Sequence, residues 1–332
     1  MRVLVIGGTR YMGAELVWRL LLGGHAVTLF NRGRTADPFG DRVERLVGDR
    51  RTDDFARLLR GRRFDAAVDF AAYDGPHAQA VVDVLDVGHY VVISTGQVYL
   101  VRDVAPVPAR ESDYDGPLMP RPTDPRDLAD WEYGIGKRAC EDVLAYAWEI
   151  ARFPSTRVRI PIVNGERDQS RRLEAYLWRL LDGGPVLLPD GATGLIRHVY
   201  AGDVVRFLLR ILGDPQTHGR AYNVAHNELL PLRDVLALLA EAMGARPRFV
   251  DVTSSALEAA GLDLRAVSPF STRWTSRLDP TRAREELDFA PRPLRQAFDV
   301  IARSFLAHLP PSPPDGYAHR AAEIVLAETA GS

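Results

Sequence analysis

The first 160 residues alternate short apolar runs with amphipathic stretches. The runs lie at Val3 to Ile6, Ala26 to Phe30, Arg42 to Val47, Asp65 to Phe70, Tyr90 to Ile93 and Thr156 to Ile160, and their length and β-branched content predict strands. Between the first two, apolar residues at 12, 16, 17, 20 and 21 form one helical face over Met12 to Leu22, closed by Gly23-Gly24. Strands and helices in alternation predict an α/β fold built on a doubly wound parallel sheet. After the fifth strand comes a proline-rich insertion, RDVAPVPARESDYDGPLMPRPTDPRD (102–127), too long for a simple connection and read as a lid facing a substrate. It leads into the helical stretch WEYGIGKRACEDVLAYAWEI.

Beyond residue 165 the pattern is mixed, with helices expected near 170–182, 202–212, 231–242 and 293–308 and short strands near 186, 197, 221 and 248. The organisation predicted is a first domain over 1–165, rejoined by a segment near 196–225, and a smaller interleaved α/β domain over 166–308. A Pro-rich linker and C-terminal helix follow over 309–332.

Composition narrows the function classes. With 332 residues, 46% of them hydrophobic, the chain can bury a large core. Its formal charge of -2 offers no general attraction to nucleic acid or an anionic membrane, so neither partner is expected. One cysteine, Cys140, excludes an intrachain disulfide framework and fits a reducing cytoplasm. A strand begins within two residues and no apolar run approaches roughly 18 residues, so neither a signal peptide nor a membrane span is expected. The eight histidines lack metal-ligand spacing, and no metal is expected. More telling, Lys137 is the one lysine; the other 41 of the 42 basic residues are arginine.

The chemistry starts at GGTRYMG (7–13), directly after the first strand. Strand, glycine turn and helix start make an anion site, because free N–H groups and the helix dipole face a pyrophosphate. Gly7, Gly8 and Gly13 supply the permissive backbone, and Thr9, Arg10, Tyr11 and Met12 complete the loop. At the end of the second strand, where an acid would hold the ribose hydroxyls of NAD, the chain has FNRGR: Asn31, Arg32 and Arg34 suit a 2′-phosphate. NADP(H) is therefore the preferred cofactor and NAD(H) the alternative. VGDRR offers Asp49 to the adenine amino group, with Arg50 beside it, and Phe70, Ala71 and Ala72 let a cofactor pass close to the sheet. In EYGIGK, Tyr133 and Lys137 stand four apart on one helical face. Tyrosine works as acid or base only when a cation stabilises its phenolate, which a lysine one turn away does. Thr95, at the end of the fifth strand, supplies a hydroxyl to orient a substrate oxygen.

Together the GGTRYMG loop, Asp49, Ala71-Ala72, Ser94-Thr95-x-x-Val98-Tyr99, Tyr133-x-x-x-Lys137, RIPIVNG (159–165), RHVYAGDVV (197–205), YNVAHNE (222–228) and DPTRAREELDFAPR (279–292) carry a family resemblance. Over residues 1–308 the chain resembles the extended short-chain dehydrogenase/reductases, the NAD(P)-dependent epimerase/dehydratase group. The resemblance implies a Rossmann domain, a bound nicotinamide cofactor, a Thr95-Tyr133-Lys137 triad and, commonly, a nucleotide-sugar substrate. It places Ile160, Pro161 and Ile162 at the nicotinamide and Gln97, Asn164, Arg197, His198 and Arg273 at the substrate.

Two positions depart from the family pattern. Arg10 replaces a glycine, as in an atypical branch that includes chloroplast stem-loop-binding proteins, and it becomes a candidate contact for the adenosine phosphates. Gln97 stands where sugar dehydratases carry acids, which disfavours dehydration because an amide neither gives nor takes a proton. The reading that follows is an oxidoreductase or epimerase interconverting a hydroxyl and a ketone on a sugar. A reductase of a non-sugar ketone, or a non-catalytic nucleotide- or RNA-binding protein on the same fold, is the alternative, and a homodimer stays open.

Overall fold

The computed structural model describes residues 1–330; positions 331 and 332 of the expected C-terminal segment lie outside the described residues. The chain forms two compact units. The first comprises Met1–Pro161, Ala201–Ala225 and Leu278–Ala290, and the second Ile162–Tyr200, His226–Arg277 and the segment from Pro291. The sequence expectation set the first boundary at 165 and the rejoining segment at 196–225, and it did not foresee that 278–290 returns to the first unit.

The first unit is built on seven strands: β1 (Arg2–Ile6), β2 (Ala26–Asn31), β3 (Val43–Val47), β4 (Ala66–Asp69), β5 (Tyr90–Thr95), β6 (Ser155–Ile160) and β7 (Ala221–Asn223). Their order is β7-β6-β5-β4-β1-β2-β3 and every pairing is parallel. This is the doubly wound Rossmann-type sheet that the alternating pattern predicts. Val3, Leu4 and Val5 are fully buried, as a strand covered on both faces requires. Chain order reverses at β1, which pairs with β2 on one side and β4 on the other. The crevice beyond the carboxyl ends of these strands is where such sheets bind ligands.

Five helices of this unit concern the site: α1 (Tyr11–Leu22), α2 (Asp54–Leu59), α3 (Gly75–Val84), α4 (Gln97–Leu100) and α5 (Pro125–Ala151). The last begins with proline at its first position and the Asp124 side chain accepting from Arg126 N–H, a strong start signal. Two glycines lie inside it, although each costs about 1 kcal/mol relative to alanine in a helix. Close approach explains both. A Cβ on Gly134 would stand 2.6 Å from Val101 Cγ1, and one on Gly136 would stand 2.6 Å from the Tyr73 carbonyl oxygen.

The insertion is not a free lid throughout. Residues 109–114 are fixed to the sheet: Ala109 bridges to Leu278, Glu111 Oε1 accepts from Asn223 N–H at 2.7 Å, and Tyr114 donates to Asp142 at 2.7 Å. The Arg138 guanidinium lies 3.9 Å over the Tyr114 ring.

In the second unit, helices Arg172–Leu181, Leu232–Met243 and Leu294–Ala307 enclose a core that includes Tyr176, Leu236, Leu239 and Phe298. Strand Val186–Pro189 pairs in parallel with Phe249–Val252. The C-terminal helix Arg320–Ala330 is tied to this unit by ion pairs in which Arg179, Arg320 and Glu323 are buried. Arg320 Nε donates to Asp182 at 2.6 Å, and Arg179 Nε donates to Glu323 at 2.8 Å.

Candidate active site

At the carboxyl ends of β1 to β4 the first unit holds a cavity of about 460 Å³. Its floor is the glycine loop. Gly7 has φ +83°, a region that other residues enter at a cost. A side chain on Gly8 would meet Val5 Cγ1 at 2.6 Å, and one on Gly13 would meet the Gly7 carbonyl oxygen at 2.9 Å, so the loop lies flat on β1 with α1 pressed against it. The first turn of α1 carries no side-chain cap and no acid. Its N–H groups and dipole therefore suit an anion, and the loop fits the pyrophosphate of a dinucleotide.

Of the residues expected at a cofactor, Gly7, Thr9, Arg10, Asn31, Arg32, Arg34, Asp49, Arg50, Phe70 and Ala71 line this cavity. Gly8 and Gly13 shape it from behind, while Tyr11, Met12 and Ala72, and also Tyr133 and Lys137, which were expected to touch the cofactor as well, are outside its lining. Ile160 and Pro161 end a segment of the first unit, and Ile162 opens the second unit on a strand paired with His198–Tyr200.

The cavity wall is strongly cationic. Arg10 Nη2 donates to Thr35 Oγ1 at 2.7 Å, joining the glycine loop to the loop after β2, where Arg32 and Arg34 stand. Asn31 accepts from Gly33 N–H at 2.8 Å and so shapes that turn. Arg51 also lines the wall, and the carboxylate of Asp49 accepts from its N–H at 3.0 Å. Arg50 is different: it is half-buried and holds the fully buried Asp69 through 2.8 and 3.0 Å contacts, while Asp69 also accepts from Tyr90 Oη and Ala71 N–H. Burial opposes the Arg50 charge, yet Asp69 raises its pKa above the ordinary value. Arg50 is thus a neutralised structural ion, and Arg10, Arg32, Arg34 and Arg51 give the wall its character.

The expected catalytic residues lie at the end of β5 and on α5. Thr95 Oγ1 accepts from Gln97 N–H at 3.3 Å, turning the chain into α4. On α5, Tyr133 is 37% exposed and Lys137 only 2%. The Lys137 ammonium donates to the carbonyls of Ala72 at 2.6 Å and Ile93 at 2.8 Å, so two backbone oxygens hold it in place. Its Nζ lies 5.8 Å from the Tyr133 ring centroid and 4.9 Å from that of Tyr73. Burial lowers the Lys137 pKa below that of a free lysine. Cys140, whose thiol burial pushes up to about 12, is an inert packing residue.

Sequence reasoning missed three features of this site. Asp130, one turn before Tyr133, accepts from Gln97 Nε2 at 3.0 Å; its i,i+3 relation to Tyr133 was the available signal. Tyr73 and His77 line the cavity just past Ala72. The orientation of α5 is set by Glu141, which accepts from Arg159 Nη2 at 2.6 Å and from Ser94; Arg159 in turn donates to Tyr99 Oη at 2.5 Å. Although burial works against it, Arg159 holds the Glu141 carboxyl below the ordinary carboxylate range. This buried ion pair locks α5 to β5 and β6 one turn beyond Lys137.

The residues expected at the substrate in the second unit do not form one group. Asn164 Nδ2 donates to His198 Nδ1 at 2.6 Å, and burial, with the His226 charge, lowers the His198 pKa to about 3, so its ring is neutral. Buried Arg197 donates to the Asn227 carbonyl at 3.1 Å. Arg273 instead lines a separate cavity of about 440 Å³ within that unit, together with Arg277, Thr193 and Thr275.

Fold and site thus define an α/β protein with a Rossmann-type sheet and a cationic cavity at the carboxyl ends of its strands. Residues 80–225 match the model of the NAD dependent epimerase/dehydratase family. Over 262 residues the chain is 24% identical to the chloroplast stem-loop binding protein of 41 kDa b of Arabidopsis thaliana, covering 73% of this chain and 63% of that protein. With 2'-dehydrokanamycin reductase of Streptomyces kanamyceticus the identity is 26% over 251 residues, covering 74% of this chain and 67% of the reductase. Among solved structures, UDP-glucose 4-epimerase of Thermotoga maritima with UDP-glucose superposes with a TM-score of 0.71 at 18% identity, covering 93% and 100% of the two chains. The dTDP-glucose 4,6-dehydratase of Streptomyces venezuelae with NAD bound gives 0.69 at 20%, covering 93% and 98%. At these identities the structures establish the shared fold.

Proposed function

We propose that the chain is an NAD(P)-dependent oxidoreductase or epimerase that interconverts a hydroxyl and a ketone on a nucleotide-linked sugar. The observation that carries this reading is the stack of Tyr133 over Lys137 on α5, with the ammonium fixed by the Ala72 and Ile93 carbonyls at the carboxyl edge of the sheet. A nicotinamide cofactor, when bound, supplies the acceptance and donation of hydride. Tyr133 exchanges a proton with the substrate oxygen through its phenol, and Thr95 orients that oxygen. The lysine charge beside the Tyr133 ring favours the phenolate that proton exchange requires.

Arg10, Arg32 and Arg34 around the cavity favour NADP(H) over NAD(H), since an adenosine 2′-phosphate suits a cationic wall. Gln97 supplies an amide, not an acid, beside Thr95, which speaks for ketoreduction or epimerisation over dehydration. The test is Tyr133→Phe. Turnover of nucleotide-linked keto sugars with NADPH should fall about 10²- to 10⁴-fold, while calorimetry shows cofactor binding retained. Full turnover by the variant overturns the reading and favours a binding protein on the same fold.

A further inference from the structure

Lys137 is buried, yet the carboxylates around it do not balance its charge. Asp69 is held by Arg50 and Glu141 by Arg159, each through at least two contacts. Two of the three ammonium protons go to the Ala72 and Ile93 carbonyls. What remains beside the charge is aromatic: the Tyr73 ring at 4.9 Å and the Tyr133 ring at 5.8 Å, both inside the roughly 6 Å range of a cation–π contact. The Tyr73 backbone is clamped. Its N–H donates to His77 Nδ1 at 3.2 Å, and α5 passes so close to its carbonyl that residue 136 must be glycine. The Tyr73 ring is still 48% exposed and lines the cofactor cavity.

We propose that Tyr73 is a positioning residue whose ring face keeps the Lys137 ammonium charged and beneath Tyr133. Burial acts against that charge; Cys140, Asp69 and Glu141 support it and Arg50 opposes it. With both carboxylates already paired, the Tyr73 ring is the nearer of the two aromatic faces beside the ammonium, and it can be substituted without breaking a buried ion pair. The catalytic consequence rests on the proton exchange proposed for Tyr133, but the contact itself can be measured independently.

Because Lys137 is the chain's one lysine, protein grown with ¹³Cε-lysine gives a single side-chain resonance, and its pH titration reports this ammonium alone. The experiment is run on the full chain without added cofactor or substrate. A cation–π contact of ordinary strength predicts that Tyr73→Leu lowers the Lys137 pKa by about 0.5 to 1.5 pH units. Tyr73→Phe, which keeps the ring face, should hold it within about 0.3 units, and Tyr73→Trp should hold or raise it. An unchanged pKa in Tyr73→Leu overturns the proposal, as does a fall in Tyr73→Phe equal to that in Tyr73→Leu, which would assign the effect to the hydroxyl. A Tyr73→Leu chain that does not fold leaves the decision to Tyr73→Trp, where a fall overturns it. If the predicted shifts are found in a protein that turns over no keto sugar, the contact stands and the reading of Tyr133 as a proton donor falls.

Discussion

Arg10 interrupts a glycine pattern, and the structure shows where the interruption leads. Its guanidinium reaches Thr35 across the mouth of the cavity, on the side where Arg32 and Arg34 stand. Charge-assisted bonds to a phosphate are worth about 1.5 to 3 kcal/mol, so Arg10→Gly should weaken NADPH binding about tenfold or more and NADH binding far less. Calorimetric titration with both cofactors checks this. Equal losses would assign Arg10 to the shared pyrophosphate, and no loss would remove it from the site. Glu141 illustrates the opposite kind of residue, one that touches no ligand. Its ion pair with Arg159 is buried on both sides, so Glu141→Gln strands a guanidinium and should cost about 3 to 5 kcal/mol. Denaturant unfolding measures the loss.

Helix α5 carries the site, and its two glycines decide how closely it lies on the sheet. Gly136→Ala drives a methyl into the Tyr73 carbonyl at 2.6 Å, which the helix can relieve only by moving outward. Overpacking of this kind costs about 1 to 3 kcal/mol. It should also lower kcat more than it raises KM, because Tyr133 moves with the helix; an unchanged melting temperature would contradict the close approach. Much of this element could be read from the sequence. Tyr133 and Lys137 stood out by spacing, and the helical stretch around them was plain. Its true start, Asp124-Pro125, was also legible but lay inside a segment assigned to the insertion. What periodicity could not reveal is set by contacts between distant segments. Glu111 meets Asn223 across 112 residues, and that contact turns the middle of the expected lid into fixed structure. The sequence reading of Phe70-Ala71-Ala72 stopped one residue before Tyr73, whose importance depends on the approach of Gly136.

Across the whole chain, alternating apolar runs were enough to predict six of the seven parallel strands, because strands buried on both faces leave near-continuous hydrophobic signals, whereas β7 lay in the mixed pattern beyond residue 165. The return of 278–290 to the first unit was not legible, since no local pattern says which unit a short helix joins. Each unit also buries a histidine as a neutral acceptor. His89 Nδ1 accepts from Gly213 N–H in the first, and His198 Nδ1 accepts from Asn164 in the second. Burial lowers both pKa values from 6.5 to about 3, with His218 adding to the effect at His89 and His226 at His198. Below pH 6.5 the unfolded chain therefore binds protons that the folded chain refuses. Stability should be full above pH 6.5 and fall by about 1.4 kcal/mol per pH unit for each histidine as pH drops toward 3. Melting temperatures measured between pH 7.5 and 4.5 check this, and a flat profile would contradict it.

The scarcity of lysine has a further consequence for how this chain can be cut. An endoprotease that cleaves only after lysine has a single target bond, Lys137–Arg138, and both side chains are buried inside α5. Intact helix protects that bond, so cleavage requires α5 to open and its rate follows the opening equilibrium. Nucleotides that close on the neighbouring cavity should slow the cut, which turns one proteolytic band into a ligand screen needing no known substrate.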